Sequence, residues 1–192
     1  LQEVILESLE TLQDRLQGET PAVRDIWDKR GKDDWRPKDE EDFSDYIKRH
    51  LDIDLIHCGI VALREVQIRR GNAEPGERTD IYVTAVINGA QPNTFETVRV
   101  ILEVKGCWNK GLKTAMASQL KDRYLKDNND CEYGIYVVGW FVCNSWNASD
   151  YRLKATPKWT IADAREFFDE QRRECSDEEN FIRSFVINGA LK

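Results

Sequence analysis

Hydrophobic residues recur along this chain at two periods, and the change between them organises it. From Leu1 to Gln17, Val4, Ile5, Leu9, Leu12 and Leu16 fall at helical spacing with acids between them, and Gly18 follows as a stop. A second, weaker helix can open at Thr20-Pro21 and run through Ile26 and Trp27 until the charged stretch Lys29 to Arg36. From Pro37, the acids Asp39, Glu40, Glu41 and Asp42 open a third helix with Phe43, Tyr46, Ile47, His50 and Leu51 as its buried stripe. After Gly59 the period becomes that of strands: Val61 to Ile68, then Thr79 to Ile87 and Thr97 to Lys105. Lys110 to Lys126 reads as a helix with Leu112, Ala115, Met116, Gln119, Leu120 and Tyr124 near one side. Tyr133 to Val142 is the most apolar run and predicts a central strand buried on both faces. Thr160 caps a helix through Arg173, and Phe181 to Ile187 is a last strand or a helix end.

That order predicts the α/β class, with a mixed central β-sheet flanked by helices. Residues 1–36 are expected as an N-terminal helical extension and 37–192 as the main domain. A chain of 192 residues is long enough to bury about 70% of its unfolded surface. With 41% hydrophobic and 33% charged residues it is neither low-complexity nor disordered. No stretch approaches the roughly 18 apolar residues of a membrane span, and the first residues lack the basic region of a secretory signal. The five cysteines are scattered without a CxxC pair, which reads as reduced thiols and a cytoplasmic location. The start at Leu1, without methionine, fits a domain trimmed from a longer protein.

The chemistry gathers around Arg99-Val-Ile-Leu-Glu-Val-Lys105. Positions i and i+2 of a strand project from one face, so Glu103 and Lys105 sit side by side at the end of an apolar element. Asp80 stands at the edge of the preceding strand, and antiparallel pairing of the two would bring it beside Glu103. Two adjacent carboxylates repel unless a cation lies between them. A hard divalent ion suits them, since Mg²⁺ is usually held by one or two carboxylates plus substrate phosphates. A lone Glu-x-Lys pair is more commonly a solvated ion pair worth under about 1 kcal/mol; the neighbouring acid is what changes its reading.

The spacing Asp80, then Glu103-Val104-Lys105, then Gln119 in the next helix resembles the PD-(D/E)xK phosphodiesterase superfamily, the restriction-endonuclease-like nucleases. The resemblance spans roughly Pro37 to Val142 and implies a restriction-endonuclease-like fold. It implies Asp80 and Glu103 as ligands of Mg²⁺ or Mn²⁺, with the carbonyl of Val104 as a third, Lys105 as the catalytic lysine, and Gln119 positioning substrate or water. The family's helical glutamate falls on Glu40, with Glu41 the second choice. Thr79 stands where the family name has proline, and Tyr124 lies five residues after Gln119, where RecB-like exonucleases carry the two four apart.

The formal charge of −7 speaks against an acidic partner, but it is unevenly spread. Arg99 to Lys126 holds seven basic and two acidic residues, whereas residues 1 to 60 hold nine against sixteen. A basic strip beside a metal site is what a phosphate track needs. Lys110, Lys113, Arg69 and Arg78 are its candidate nucleic-acid contacts, and Trp108 could stack on a base. The resulting expectation is a metal-dependent nuclease, DNA favoured over RNA, acting as the effector domain of a bacterial defence or restriction protein. A homodimer or further domains of a longer chain would hold the substrate. The alternatives are a structure-specific or RNA-processing nuclease, and a catalytically inactive module for binding or oligomerisation.

Overall fold

The computed structural model describes residues 1–64, 80–89, 91, 93–126 and 130–192. Helix α1 (Gln2–Gln17) buries Ile5, Ser8, Leu9, Leu12 and Leu16, the expected stripe with Ser8 in place of the half-exposed Val4. The second helix does not form. Val23–Ile26 makes one 3₁₀ turn, and β1 (Trp27–Lys29) and β2 (Trp35–Pro37) pair as an antiparallel ribbon. In the ribbon Trp27 is buried, its ring packed against Phe141 and Trp146. The stretch 1–36 is therefore helical only in part, and the buried residues of α1 belong to the same core as the sheet.

Helix α2 (Glu40–Asp54) is capped by Asp39, whose carboxylate accepts the Asp42 N–H at 2.8 Å, and it buries Phe43, Ser44, Ile47, His50 and Leu51. His50 Nε2 lies 2.8 Å from the Ser8 carbonyl oxygen and ties α2 to α1.

The central sheet runs in the order β3 (Ile60–Arg64), β4 (Ile81–Asn88), β5 (Phe95–Gly106), β6 (Tyr133–Trp140), β7 (Phe181–Asn188). The first three strands are antiparallel and the last three parallel, so the mixed α/β architecture is as expected. From Gly134 to Trp140 every residue of β6 is buried, as befits a strand covered on both faces. Phe181 to Ile187 resolves as strand β7. The last helix, α4 (Ile161–Cys175), starts with a capping box between Thr160 and Asp163; the short α3 (Tyr151–Ala155) precedes it. Among the described residues no helix is long and apolar enough to cross a membrane, and all five cysteines are free thiols.

One layer of helices lies on each face. A side chain at Gly139 would meet Phe43 of α2, whereas one at Gly134 would meet Leu120 and Leu125 of the helix after β5; residues five apart on a strand point to opposite faces. That helix departs from expectation. Residues 111–114 form turns, and Met116–Leu125 winds as a π-helix, with the Lys126 N–H bonded to the Lys121 carbonyl at 2.9 Å. The wide winding lays Met116, Leu120, Tyr124 and Leu125 over β5 and β6.

Candidate active site

The site exists because β5 outruns β4. Ile81 pairs with Leu102, so Glu103 to Gly106 continue past the start of β4 with β6 as their strand partner among the described residues. Residues of a strand send their main-chain groups alternately to either side. The Cys107 N–H goes to Gly139 of β6, while Val104 and Gly106 point to the uncovered side. Two carboxylates meet the main-chain groups on that side. Asp80 Oδ2 accepts the Val104 N–H and Glu40 Oε2 accepts the Gly106 N–H, each at 2.8 Å.

Glu40, the first residue of α2, is held further by Asn109, whose Nδ2 lies 2.9 and 2.8 Å from its two oxygens. Asn109 is itself fixed, its Oδ1 accepting the Gly111 N–H at 2.7 Å. Lys105 closes the cluster: its Nζ lies 2.6 Å from Glu103 Oε1, 3.4 Å from Glu40 Oε1 and 4.0 Å from Asp80 Oδ2. The structure thus gathers Asp80, Glu103, Lys105 and Glu40 at one point, three acids around one ammonium.

Glu103 is 2% exposed, and its Oε2 has no hydrogen-bond partner among the described residues. Burial, and then the charge of Asp80, push its pKa up to about 8, against the opposing pull of Lys105. Burial works against the charge on Lys105, but Glu103, Glu40 and Asp80 outweigh it and its pKa is raised. Tyr124 borders the cluster: burial and the charges of Glu103 and Asp80 push its phenol up to about 12. Tyr136, beside Glu103 on β6, is likewise raised by burial, and its hydroxyl donates to the Leu112 carbonyl at 2.7 Å.

No family model, curated protein or solved structure matches the chain.

Among the described residues no group of three or more His, Cys, Asp or Glu side chains is arranged to hold a metal. The donors do fit a hard divalent ion bound by fewer side chains. Asp80 and Glu103 supply carboxylate oxygens, one of them a buried atom without a partner among the described residues, and the Val104 carbonyl points to the same side as its N–H, toward Asp80.

Gln119 is not joined to the cluster by a hydrogen bond; its Oε1 is buried and without a partner among the described residues. Because π-helical hydrogen bonds span five residues, Tyr124 lies one turn beyond Gln119, where an α-helix would turn it about 140° away. Trp108 is a wall rather than a free ring: it packs on Phe141 and Trp146, and the Arg152 guanidinium covers it at 4.9 Å. Lys110 is exposed, but the ammonium of Lys113 folds over Trp159 at 4.4 Å. Lys121 pairs with Asp177 at 2.8 Å and Arg99 donates to the Asp130 carbonyl, so much of the basic strip is engaged within the chain. Arg69 and Arg78 lie outside the described residues. Sequence reasoning missed Asn109, which carries no motif signal beyond its place three residues after Gly106.

Proposed function

We propose that this chain is a metal-dependent nuclease of the PD-(D/E)xK kind that hydrolyses phosphodiester bonds. The observation that carries the reading is the convergence of Asp80, Glu103 and Lys105 at the end of β5, with a buried oxygen of Glu103 left without a partner among the described residues. Two carboxylates held together against their repulsion, in a cluster of three acids and one ammonium, call for a further positive charge. Mg²⁺ or Mn²⁺ held by Asp80 and Glu103, with the Val104 carbonyl, would polarise the scissile phosphate and acidify the attacking water.

The chain's own residues supply the rest. The main-chain N–H of Val104 fixes Asp80 in place, so its carboxylate is aimed before substrate arrives. Lys105 stays protonated beside Glu103 and offsets the negative charge that accumulates on phosphorus during in-line attack. Glu40, clamped by Gly106 and Asn109, holds Lys105 from the other side. Burial keeps water from Glu103, with Tyr136 beside it on β6. DNA as substrate, and a role as effector of a bacterial defence or restriction protein, rest on the resemblance of motif alone. The internal engagement of the basic strip favours a second reading, a nuclease-fold module that binds without cutting.

The test is incubation of plasmid, linear duplex, single-stranded DNA and RNA with the protein, with Mg²⁺, Mn²⁺ or EDTA, alongside Asp80→Ala and Lys105→Ala. Cleavage that needs the metal and disappears in both variants supports the proposal. Cleavage that persists in either variant places the activity elsewhere.

A further inference from the structure

The outer edge of the sheet carries a second feature, remote from the acidic cluster. Strand β7 is an edge strand, and its odd-numbered residues bond to β6, as the Phe181 and Gly189 N–H groups show. Its even-numbered residues therefore direct their N–H and C=O outward. Both ends of that edge are sealed by side chains. The Ser176 hydroxyl accepts the Ile182 N–H and donates to the Ile182 carbonyl, both at 3.1 Å. At the other end Gln13 Oε1 accepts the Asn188 N–H at 2.6 Å, and Gln17 donates to the Asn188 carbonyl at 3.0 Å. Between these seals, Ser184 and Val186 keep their outward main-chain groups unpaired among the described residues.

Those two residues form the floor of a groove of about 560 Å³, walled by Glu10, Gln13 and Asp14 of α1 on one side and Arg165 and Asp169 of α4 on the other. The groove continues toward Glu3 and Glu7. Asp169 is already paired with Arg172 and Arg173, and Glu3 with Arg183. Glu7, Glu10 and Asp14, spaced to share one face of α1, have no ion-pair partner among the described residues.

We propose that this groove binds an extended, basic peptide segment of a partner protein, which adds two residues to the β7 edge. The segment's main chain pairs with Ser184 and Val186, and lysines or arginines at alternate positions face Glu7, Glu10 and Asp14 of α1. A second copy of this chain is disfavoured because the same strand approaching edge to edge would set acid against acid. A bare edge would template indiscriminate pairing; sealing all but two residues limits an incoming strand to one short register.

The test uses the whole chain and a fluorescein-labelled peptide of alternating lysine and valine, read by fluorescence anisotropy. Two control peptides accompany it, one with glutamate for lysine and one with the lysines kept but alternate main-chain amides N-methylated. The proposal expects saturable binding of the first peptide alone, weakened at least tenfold by the double substitution Glu10→Lys and Asp14→Lys. Equal binding of the N-methylated peptide would mean charge attraction without strand pairing and would overturn it, as would no binding at millimolar peptide. Dimerisation in sedimentation velocity that is abolished by the same double substitution would make a second copy the occupant and would also overturn it.

Discussion

Lys105 Nζ lies 2.6 Å from Glu103 Oε1, and both residues are almost fully buried at the end of one strand. A buried ion pair adds little net stability, but removing one partner strands the other. Lys105→Met should lower stability at pH 9, where Glu103 is ionised, by about 2–4 kcal/mol, measured by urea denaturation. The loss should shrink at pH 5, where Glu103 holds its proton, and on adding Mg²⁺. A loss independent of both would mean that Lys105 acts through packing alone.

The raised pKa of Glu103 makes stability depend on pH with a definite sign. Between its ordinary value of 4.5 and its folded value of about 8, the folded chain holds a proton that the unfolded chain has released. Stability therefore falls as pH rises through that window. Glu103→Gln should flatten the profile and be more stable than the parent at pH 9, by about 1–3 kcal/mol. Thermal melts from pH 5 to pH 9 check this; parallel profiles for parent and variant would refute it.

Asn109 donates to both oxygens of Glu40, so a change of one atom type at this position should matter. Asn109→Asp sets a second carboxylate against Glu40 and should cost about 1–3 kcal/mol, and Asn109→Ala about 1–2 kcal/mol. If cleavage is observed, both should lower kcat more than they raise KM, because the displaced Glu40 no longer holds Lys105. An unchanged kcat with lowered stability would assign Asn109 a purely structural role.

Gly139 packs its bare Cα against rings. A methyl group there would lie 2.6 Å from carbons of both Phe43 and Phe141, whose rings are themselves packed edge to face. Gly139→Ala should destabilise by about 1–3 kcal/mol through overpacking. Phe43→Leu in the same chain should recover part of the loss, as denaturation of the double variant would show.

If a divalent ion binds at Asp80 and Glu103, Mg²⁺ should raise the melting temperature of the parent. Ligand linkage gives about 2.7 kcal/mol at a hundredfold excess over Kd, or several degrees for a domain of this size. Asp80→Ala should abolish the shift. An equal shift in the variant would place the ion elsewhere.

Much of this was legible from local pattern, because the forces behind it are local. The periods of apolar residues called α1, α2, α4 and the run of strands, since amphipathic spacing needs only neighbours within a turn or a pleat. The i, i+2 rule set Glu103 beside Lys105, and antiparallel pairing brought Asp80 next to them. The 3₁₀ turn and ribbon at Val23 to Pro37 depart from the expected helix because the helical signal there is weak and the burial of Trp27 against Phe141 and Trp146 is a long-range contact.

The distant contacts obey no period. Where β4 begins relative to β5 determines which main-chain groups stand open, and the acids that fill them come from 24 residues away for Asp80 and 66 for Glu40. The π-winding of Met116–Leu125 lies against β5 and β6, and it turns Tyr124 toward the face of Gln119. The seals on β7 join residues up to 175 apart. Spacing along the chain thus determined the elements and the motif, whereas packing in three dimensions determined which polar groups those elements leave unpaired, because unpaired groups are settled by whatever else comes to lie beside them.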